Sequence, residues 1–239
     1  MICKIAILGD LNPAYSTHLA LNNCLDDIRR SFEEDIQFDW IGTDEYSNEM
    51  IFGKGLYRGL WIAPGSPYKN MQHVLDAISY CRINRIPVLG NCGGFQHMLI
   101  EYAKNICGIV HADHEEENPE AKDLVITKLS CSLIEREEQL SIAENGSLLY
   151  SIIKKDSIAG RYFCSYGLND QYREILESYG LLLTAFSPEG EVRAFEIKDH
   201  PFFLGTLFQP ALTSTAAEPD PVIFEFINKC IANDHRKKN

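Results

Sequence analysis

The run I-P-V-L-G-N-C-G-G-F-Q-H-M-L-I-E-Y-A-K-N-I-C, from Ile86 to Cys107, constrains this chain more than any other. Ile86 to Leu89 is a short apolar run that reads as a buried strand. Phe95, Met98, Leu99, Tyr102, Ala103 and Ile106 then recur at helical spacing. Between them lies Gly90-Asn91-Cys92-Gly93-Gly94, a sharp strand-to-helix turn with glycines on both sides of one nucleophile. That is a nucleophile elbow with Cys in the place of Ser. The turn is strained, and a side chain beside the nucleophile would clash, which glycine avoids. The Cys92 sulfur then stands at a helix N-terminus, where the dipole and unpaired N–H groups favour a thiolate. The Gly93 amide is the natural donor to an oxyanion. The plainer reading of the same residues is a Gly-rich turn around a buried cysteine.

Around this elbow the chain alternates strands with helices. Lys4 to Gly9 reads as a buried strand, His18 to Phe32 as a helix and Ile36 to Ile41 as a second strand. An acidic, Gly-punctuated connection leads to a third strand, Gly59 to Ala63, and then a helix from Met71 to Arg82. After Gly108 the sequence H-A-D-H-E-E-E-N-P-E reads as a polar loop. Leu124 to Phe163 shows short strand-like runs, and Asp170 to Tyr179 is helix-like. Leu181–Phe186 and Val192–Ile197 flank Ser187-Pro188-Glu189-Gly190 as a hairpin. Phe203 to Phe208 is a last buried strand, and Pro221 to Ile231 a closing helix. The pattern predicts an α/β fold, an open and mostly parallel sheet with helices on both faces. With no linker and no internal repeat, residues 1–239 are expected to form one domain. In such sheets ligands sit at the carboxyl ends of the strands. Leu89–Cys92, Ala63–Ser66 and Phe208–Pro210 all end strands and are expected to converge.

Composition narrows the partners. The 239 residues carry 34 acidic against 22 basic side chains, a net charge of −12. Such a surface argues against nucleic acid or an anionic membrane as partner. His235-Arg236-Lys237-Lys238 reads as a solvated tail. No run is long enough to span a membrane, and Met1 to Leu8 is too short for a signal peptide. The eight cysteines show no C-x-x-C pair, so they are expected to be reduced thiols in a cytoplasmic protein. No metal or cofactor is expected.

With these residues in view, the chain resembles the class I glutamine amidotransferase domains of CTP synthases over nearly its whole length. The resemblance is carried by F-D-W-I at Trp40, A-P-G at Pro64 and I-P-V-L-G-N-C-G-G-F-Q around Cys92. It continues through I-E-Y-A-K-N-I-C-G at Ile100–Gly108, S-P-E-G at Ser187, D-H-P-F-F at Asp199 and F-Q-P-A-L-T-S at Phe208–Ser214. It implies an open, flavodoxin-like α/β sheet and hydrolysis of glutamine through a Cys thioester, with ammonia passed to a synthetase domain. That synthetase domain, which precedes the amidotransferase in the family, is absent from these residues, and there is no G-x-x-x-x-G-K-[ST] loop.

Residue by residue, the resemblance makes Cys92 the nucleophile, with Gly93 and the Gly65-Ser66 turn as oxyanion donors. The family's Gly-Gly-Phe-Gly loop has become Gly-Ser-Pro-Tyr, and Pro67 has no N–H, which leaves the second donor open. Gln96 matches a glutamine-binding Gln, and Glu116 the Glu that holds the substrate's amino group. The Arg that pairs with the substrate carboxylate corresponds to Ser165, with Arg161 just upstream as a compensating cation. The family's F-H-P-E-F-T-S has become F-Q-P-A-L-T-S. Gln209 therefore replaces the general base and Ala211 the Glu that orients it, and neither can do that work. His97, five residues after Cys92, is expected to point away from the sulfur. His111 and His114 are candidate substitute bases, and their H-x-x-H spacing beside three Glu is also a weak metal pattern in a solvated loop. His200 reads as a surface-turn residue, His18 as a capping or packing residue, Tyr166 as packing.

The preferred expectation is therefore Cys92-dependent chemistry on a small amide or carbonyl substrate other than glutamine. Two alternatives stand beside it. One is a catalytically silent regulatory protein that binds an amino-acid-like ligand or a partner protein. The other is a glutamine-hydrolysing subunit that supplies ammonia to a separate synthetase.

Overall fold

The computed structural model describes residues 2–32, 35–144 and 146–236, so Lys237 and Lys238 of the basic tail, and the side chains of His235 and Arg236, lie outside the described residues. The first half is a run of β/α units: β1 (Cys3–Leu8), α1 (Ser16–Arg29), β2 (Ile36–Ile41), α2 (Asn48–Phe52), β3 (Gly59–Ile62), α3 (Met71–Asn84), β4 (Val88–Asn91) and α4 (Gly93–Asn105). Then come β5 (Ala112–His114), β6 (Asp123–Lys128), β7 (Arg136–Ile142), α5 (Leu148–Ile153), β8 (Ser157–Tyr162) and β9 (Tyr166–Leu168). The chain closes with α6 (Arg173–Ser178), β10 (Leu181–Phe186), β11 (Val192–Ile197), β12 (Phe203–Thr206) and α7 (Pro221–Arg236).

The main sheet has nine strands in the order β2-β1-β3-β4-β12-β11-β10-β7-β8. The neighbours from β2 to β12 are parallel, and those from β12 to β8 antiparallel, so only β11 and β7 run against the rest. This is a mixed α/β fold with a large, mostly parallel sheet flanked by helices. Side chains alternate across β3 and show both faces in use. Ile62 meets α4 at Gly94, while Trp61 meets Phe226 of α7 edge-on at 5.9 Å. β1, β3 and β4 are short, wholly or almost wholly buried apolar runs, as strands covered on two faces must be. In α1 the buried Leu21, Cys24, Leu25 and Ile28 recur every three or four residues, one stripe against the sheet. No helix among the described residues is long and apolar enough to cross a membrane.

Several expectations are corrected. The polar loop after Gly108 contains β5, which joins β6 and β9 in a second, three-stranded sheet. The strand-like region from Leu124 contains the helix α5. Its N-terminus is capped by Ser147, whose hydroxyl accepts the Tyr150 N–H at 3.0 Å. The buried Glu196 on β11 accepts the Leu148 and Leu149 N–H groups at 2.6 and 3.1 Å, a tertiary cap that no local pattern reveals. The acidic connection holds α2, capped by Ser47. His200 is half-buried rather than on the surface. Its ring bridges the Cys81 carbonyl and the Phe202 N–H, both at 3.3 Å, and burial pushes it down to about 4.

The elbow depends on close approach. A β-carbon on Gly94 would lie 2.6 Å from the Ile62 carbonyl oxygen, which cannot move without breaking the sheet. Gly94→Ala is expected to lower the urea midpoint of unfolding at constant m, by about 1–3 kcal/mol of stability as for other overpacked cores. An unchanged midpoint would mean that α4 is free to slide over β3.

Candidate active site

Cys92 sits between β4 and α4 with φ 51° and ψ −108°, a conformation that costs a non-glycine residue free energy on the order of 1–3 kcal/mol. Its N–H donates to the Thr206 carbonyl at 3.0 Å, and its carbonyl accepts the Gln96 N–H at 3.1 Å. The preceding Asn91 is clamped as well. It accepts the Trp61 indole N–H at 2.7 Å and donates to the Thr206 hydroxyl at 2.8 Å, which in turn donates to the Phe208 carbonyl at 2.7 Å. One buried hydrogen-bonded chain thus ties the carboxyl ends of β3, β4 and β12 beneath the sulfur.

The sulfur lines a cavity of about 620 Å³ whose wall includes Pro64, Gly65, Ser66, Cys92, Gln96 and Gln209. The three strand ends singled out in the sequence therefore meet at one site. The opposite wall comes from the small sheet and its loops: Glu116, Lys128, Cys164, Ser165 and Tyr166.

The backbone donors face the sulfur from two sides. His18 Nδ1 accepts the Asn12 N–H at 2.9 Å, so the other nitrogen, Nε2, carries the proton and donates to the Pro64 carbonyl at 2.7 Å. The C=O and N–H of one trans peptide point in opposite directions. Holding the Pro64 oxygen against His18 therefore turns the Gly65 N–H toward Cys92. Gly65 adopts φ 101°, and a β-carbon there would lie 3.0 Å from His18 Nε2. The question left by Pro67 is answered at Gly65, two residues earlier. The adjacent Cys164 thiol and the Gly93 and Gly65 N–H groups hold the Cys92 thiol below its ordinary value; burial and the Glu116 charge act against them.

Gln96 is locked in place. Its carboxamide donates to the Tyr166 carbonyl at 2.9 Å and accepts from the Ser66 hydroxyl and His114 Nε2, both at 3.2 Å. His114 is thereby removed as a substitute base. Its Nε2 proton is committed to Gln96, and Nδ1 accepts the Glu116 N–H at 3.1 Å. Burial and the neighbouring His97 push it down to about 3, so the ring is neutral. His111 is exposed and lines a separate groove with Lys104 and Asp113, away from Cys92. His97 lies outside the cavity, its Nδ1 2.8 Å from the Gly93 carbonyl and its Nε2 3.1 Å from Glu117. Arg161 does not compensate for Ser165. It pairs with Glu137 at 2.7 Å across β7 and β8 and is absent from the cavity wall.

Gln209 is on the wall, 3 % exposed, with its Nε2 lacking any hydrogen-bond partner. Ala211 lies in the following short turn, Pro210–Leu212, packed against the core. Glu116 and Lys128 are the charged members of the wall, both exposed to the cavity mouth and neither in an ion pair among the described residues. Sequence reasoning missed Lys128, Cys164 and the peptide-holding role of His18. A second cysteine beside Tyr166 was the one available hint.

The family model described as glutamine amidotransferase class-I matches residues 28–229. The chain belongs to the class-I glutamine amidotransferase family. It is similar to CTP synthase from Sulfolobus acidocaldarius, 29 % identical over 94 % of this chain and 44 % of that protein, and to CTP synthase from Bacillus thuringiensis, 27 % identical over 98 % and 46 %. The chain thus spans less than half the length of the curated relatives it matches. Among solved structures it superposes on the glutaminase domain of Trypanosoma brucei CTPS with bound acivicin, TM-score 0.85 at 23 % identity, covering 96 % of this chain and 94 % of that one. A glutamine amidotransferase from Thermotoga maritima follows the same fold, TM-score 0.58 at 10 % identity, covering 99 % of this chain and 85 % of that one. In this chain the Cys92 sulfur is met by two backbone amides and a thiol. Among the described residues lining its cavity there is no histidine.

His18→Leu is expected to free the Pro64–Gly65 peptide and turn one donor from the sulfur. Loss of a donor to the thiolate raises the thiol's pKa, so alkylation of Cys92 by iodoacetamide should set in at higher pH. An unshifted alkylation profile in folded His18→Leu protein would show that Gly65 holds its orientation without His18.

Proposed function

We propose that the Cys92 cavity binds a small amide or carbonyl compound bearing an α-amino acid head, and accepts its acyl group on the Cys92 sulfur without ordinary glutaminase turnover. The observation that carries this reading is the pairing of the Gly65 and Gly93 N–H groups at one sulfur, beside a Gln209 that cannot exchange a proton. The amides suit the oxyanion that forms when sulfur attacks a carbonyl. Breaking the C–N bond then requires a proton for the leaving nitrogen, and a carboxamide has none to give at neutral pH. General acid–base assistance contributes about 10²–10⁴-fold, which is the deficit expected against a complete triad.

The head group is supported by charge. Glu116 suits an ammonium and Lys128 a carboxylate, each charge-assisted contact contributing about 1.5–3 kcal/mol when formed away from bulk water. Lys128 would serve in place of the arginine lost at Ser165. The free Gln209 N–H₂ suits a carbonyl oxygen of the same ligand. Burial and the Glu117 charge raise the Glu116 carboxyl above its usual range. Only the ionised form holds an ammonium, so affinity for an amino-acid ligand should rise with pH through the weakly acidic range. Glu116→Gln should flatten that rise.

Acivicin, the ligand of the trypanosomal glutaminase domain, is the direct probe. It is expected to add once, at Cys92, as read by intact mass. The adduct should be absent in Cys92→Ala, slower in Lys128→Gln and delayed by excess glutamine. Labelling indifferent to amino acids and to Lys128 would refute the head-group assignment.

Gln209→His together with Ala211→Glu is expected to produce ammonia from glutamine in a coupled assay, with little from either single change because such residues act as a unit. A silent, folded double variant would place the block in the cavity rather than in the missing relay. The alternative reading, a glutamine-hydrolysing subunit feeding a separate synthetase, draws on the likeness to CTP synthases. Ammonia released by the unmodified protein and lost in Cys92→Ala would favour it.

A further inference from the structure

Two of the eight cysteines line the same cavity. Cys92 reaches it from the elbow, and Cys164 from the turn between β8 and β9. They are 6 % and 7 % exposed, buried yet open to whatever enters the cavity. The Cys92 sulfur lies 3.8 Å from the Phe163 carbonyl oxygen. That carbonyl belongs to the peptide that leads directly into Cys164, and the two thiols are close enough for each to act on the other's ionisation. Both thiols are free in the structure.

Among the described residues no other cysteine lines the cavity. Burial pushes Cys24 and Cys107 up to about 11 and Cys81 and Cys230 well above the ordinary value, so their thiolate fractions are negligible. Cys131 is exposed and not in the cavity. At Cys92 the backbone N–H groups favour the anion. The Cys164 thiol is held well above its ordinary value by its hydrogen bond to Cys92, by burial and by the Cys92 charge, with the nearby Arg193 charge acting the other way, so Cys164 enters as a thiol. Cys92 is thus the sulfur prepared to attack, with the Cys164 thiol beside it in the cavity.

We propose that Cys92 and Cys164 form an oxidisable dithiol site whose co-reactant is a hydroperoxide, and whose product is an intramolecular disulfide that removes the cavity's nucleophile. In the first step the Cys92 thiolate attacks the peroxide. An S–O bond forms, the O–O bond breaks, and the departing alkoxide or hydroxide takes up a proton. In the second step the Cys164 sulfur attacks the sulfenic sulfur. An S–S bond forms, the S–O bond breaks, and hydroxide leaves as water with the Cys164 proton. Two thiols lose two electrons, and one hydroperoxide becomes an alcohol or water plus a second water. This reading stands on the two sulfurs and their surroundings and does not require acyl transfer at Cys92.

The test uses the full chain carrying Cys131→Ser, treated with hydrogen peroxide, blocked with N-ethylmaleimide and read by intact and peptide mass. The expected product has lost two hydrogens and two alkylation sites, contains a Cys92–Cys164 linked peptide and reverts with dithiothreitol. Reversion should restore acivicin labelling wherever the reduced protein shows it. In Cys164→Ser, and in Cys164→Ala as a second variant, Cys92 should instead climb to sulfinic and sulfonic acids that dithiothreitol does not reverse. Over-oxidation of Cys92 in the unmodified pair, with Cys164 still open to alkylation, would overturn the proposal. So would resistance of both thiols to peroxide while acivicin still labels Cys92. Failure of acivicin labelling alone would strike the proposed function and leave the linked peptide as an independent result.

Discussion

The backbone of Cys92 is held in a conformation that an L-residue resists, and the surrounding architecture is arranged to hold it there. The strain is contained because strand ends and a helix converge on one turn. The Thr206 carbonyl takes the Cys92 N–H, and the Trp61–Asn91–Thr206–Phe208 chain fixes the residue before it. Gly94 lets α4 lie directly on β3. Each of these contacts alone contributes about 1 kcal/mol, but together they over-determine the turn. The result is a sulfur lifted out of the core into a cavity, with the first amide of α4 beside it. A relaxed turn would return the thiol to the apolar interior, where burial suppresses the anion as it does at Cys81 and Cys230.

The second donor is set by a different device, one peptide plane anchored from behind. His18 is a neutral ring whose two nitrogens have opposite jobs, accepting from Asn12 and donating to Pro64. Its contribution to the site passes through the Pro64–Gly65 peptide, so it is a positioning residue. His114 uses the same arrangement to fix Gln96, accepting from Glu116 and donating to the carboxamide. Both histidines are spent on holding polar groups still, and neither has a free nitrogen to take a proton from sulfur.

The sequence made the elbow legible because three signals agreed there: a buried run, flanking glycines and helical spacing. β2, β10 and β11 match the sequence reading residue for residue, since each carries apolar residues at strand spacing and ends at a turn. α5 escaped because L-L-Y-S-I-I suits a strand equally well and its deciding cap, Glu196, lies 48 residues away. The small sheet escaped because β5 and β9 are three residues each. With it went Lys128 and Cys164, whose places on the cavity wall depend on that sheet. Gln96, Glu116 and Ser66 line the cavity, and the hydrogen bonds that hold them there were not legible, because those depend on which tautomer the neighbouring histidine adopts.

What sits opposite the sulfur separates this cavity from a simple turn around a buried cysteine. Gln209 keeps a buried amide nitrogen without a partner, and just behind Cys164 the Tyr162 hydroxyl and one Arg193 nitrogen are likewise unpaired. A buried donor left unsatisfied costs about 1–3 kcal/mol. Of these, Gln209 lines the cavity, where packing alone gives no reason to keep an unpaired donor. An acyl oxygen or an ordered water reaching Gln209 would recover part of that cost. Arg193 already gives two of its nitrogens to Glu138 and Glu191, so its remaining charge is directed at Cys164 and Tyr162 rather than at solvent. The cavity thus offers a ligand a thiol held below its ordinary value, fixed amides and an unpaired carboxamide. Among the described residues that line it there is no imidazole.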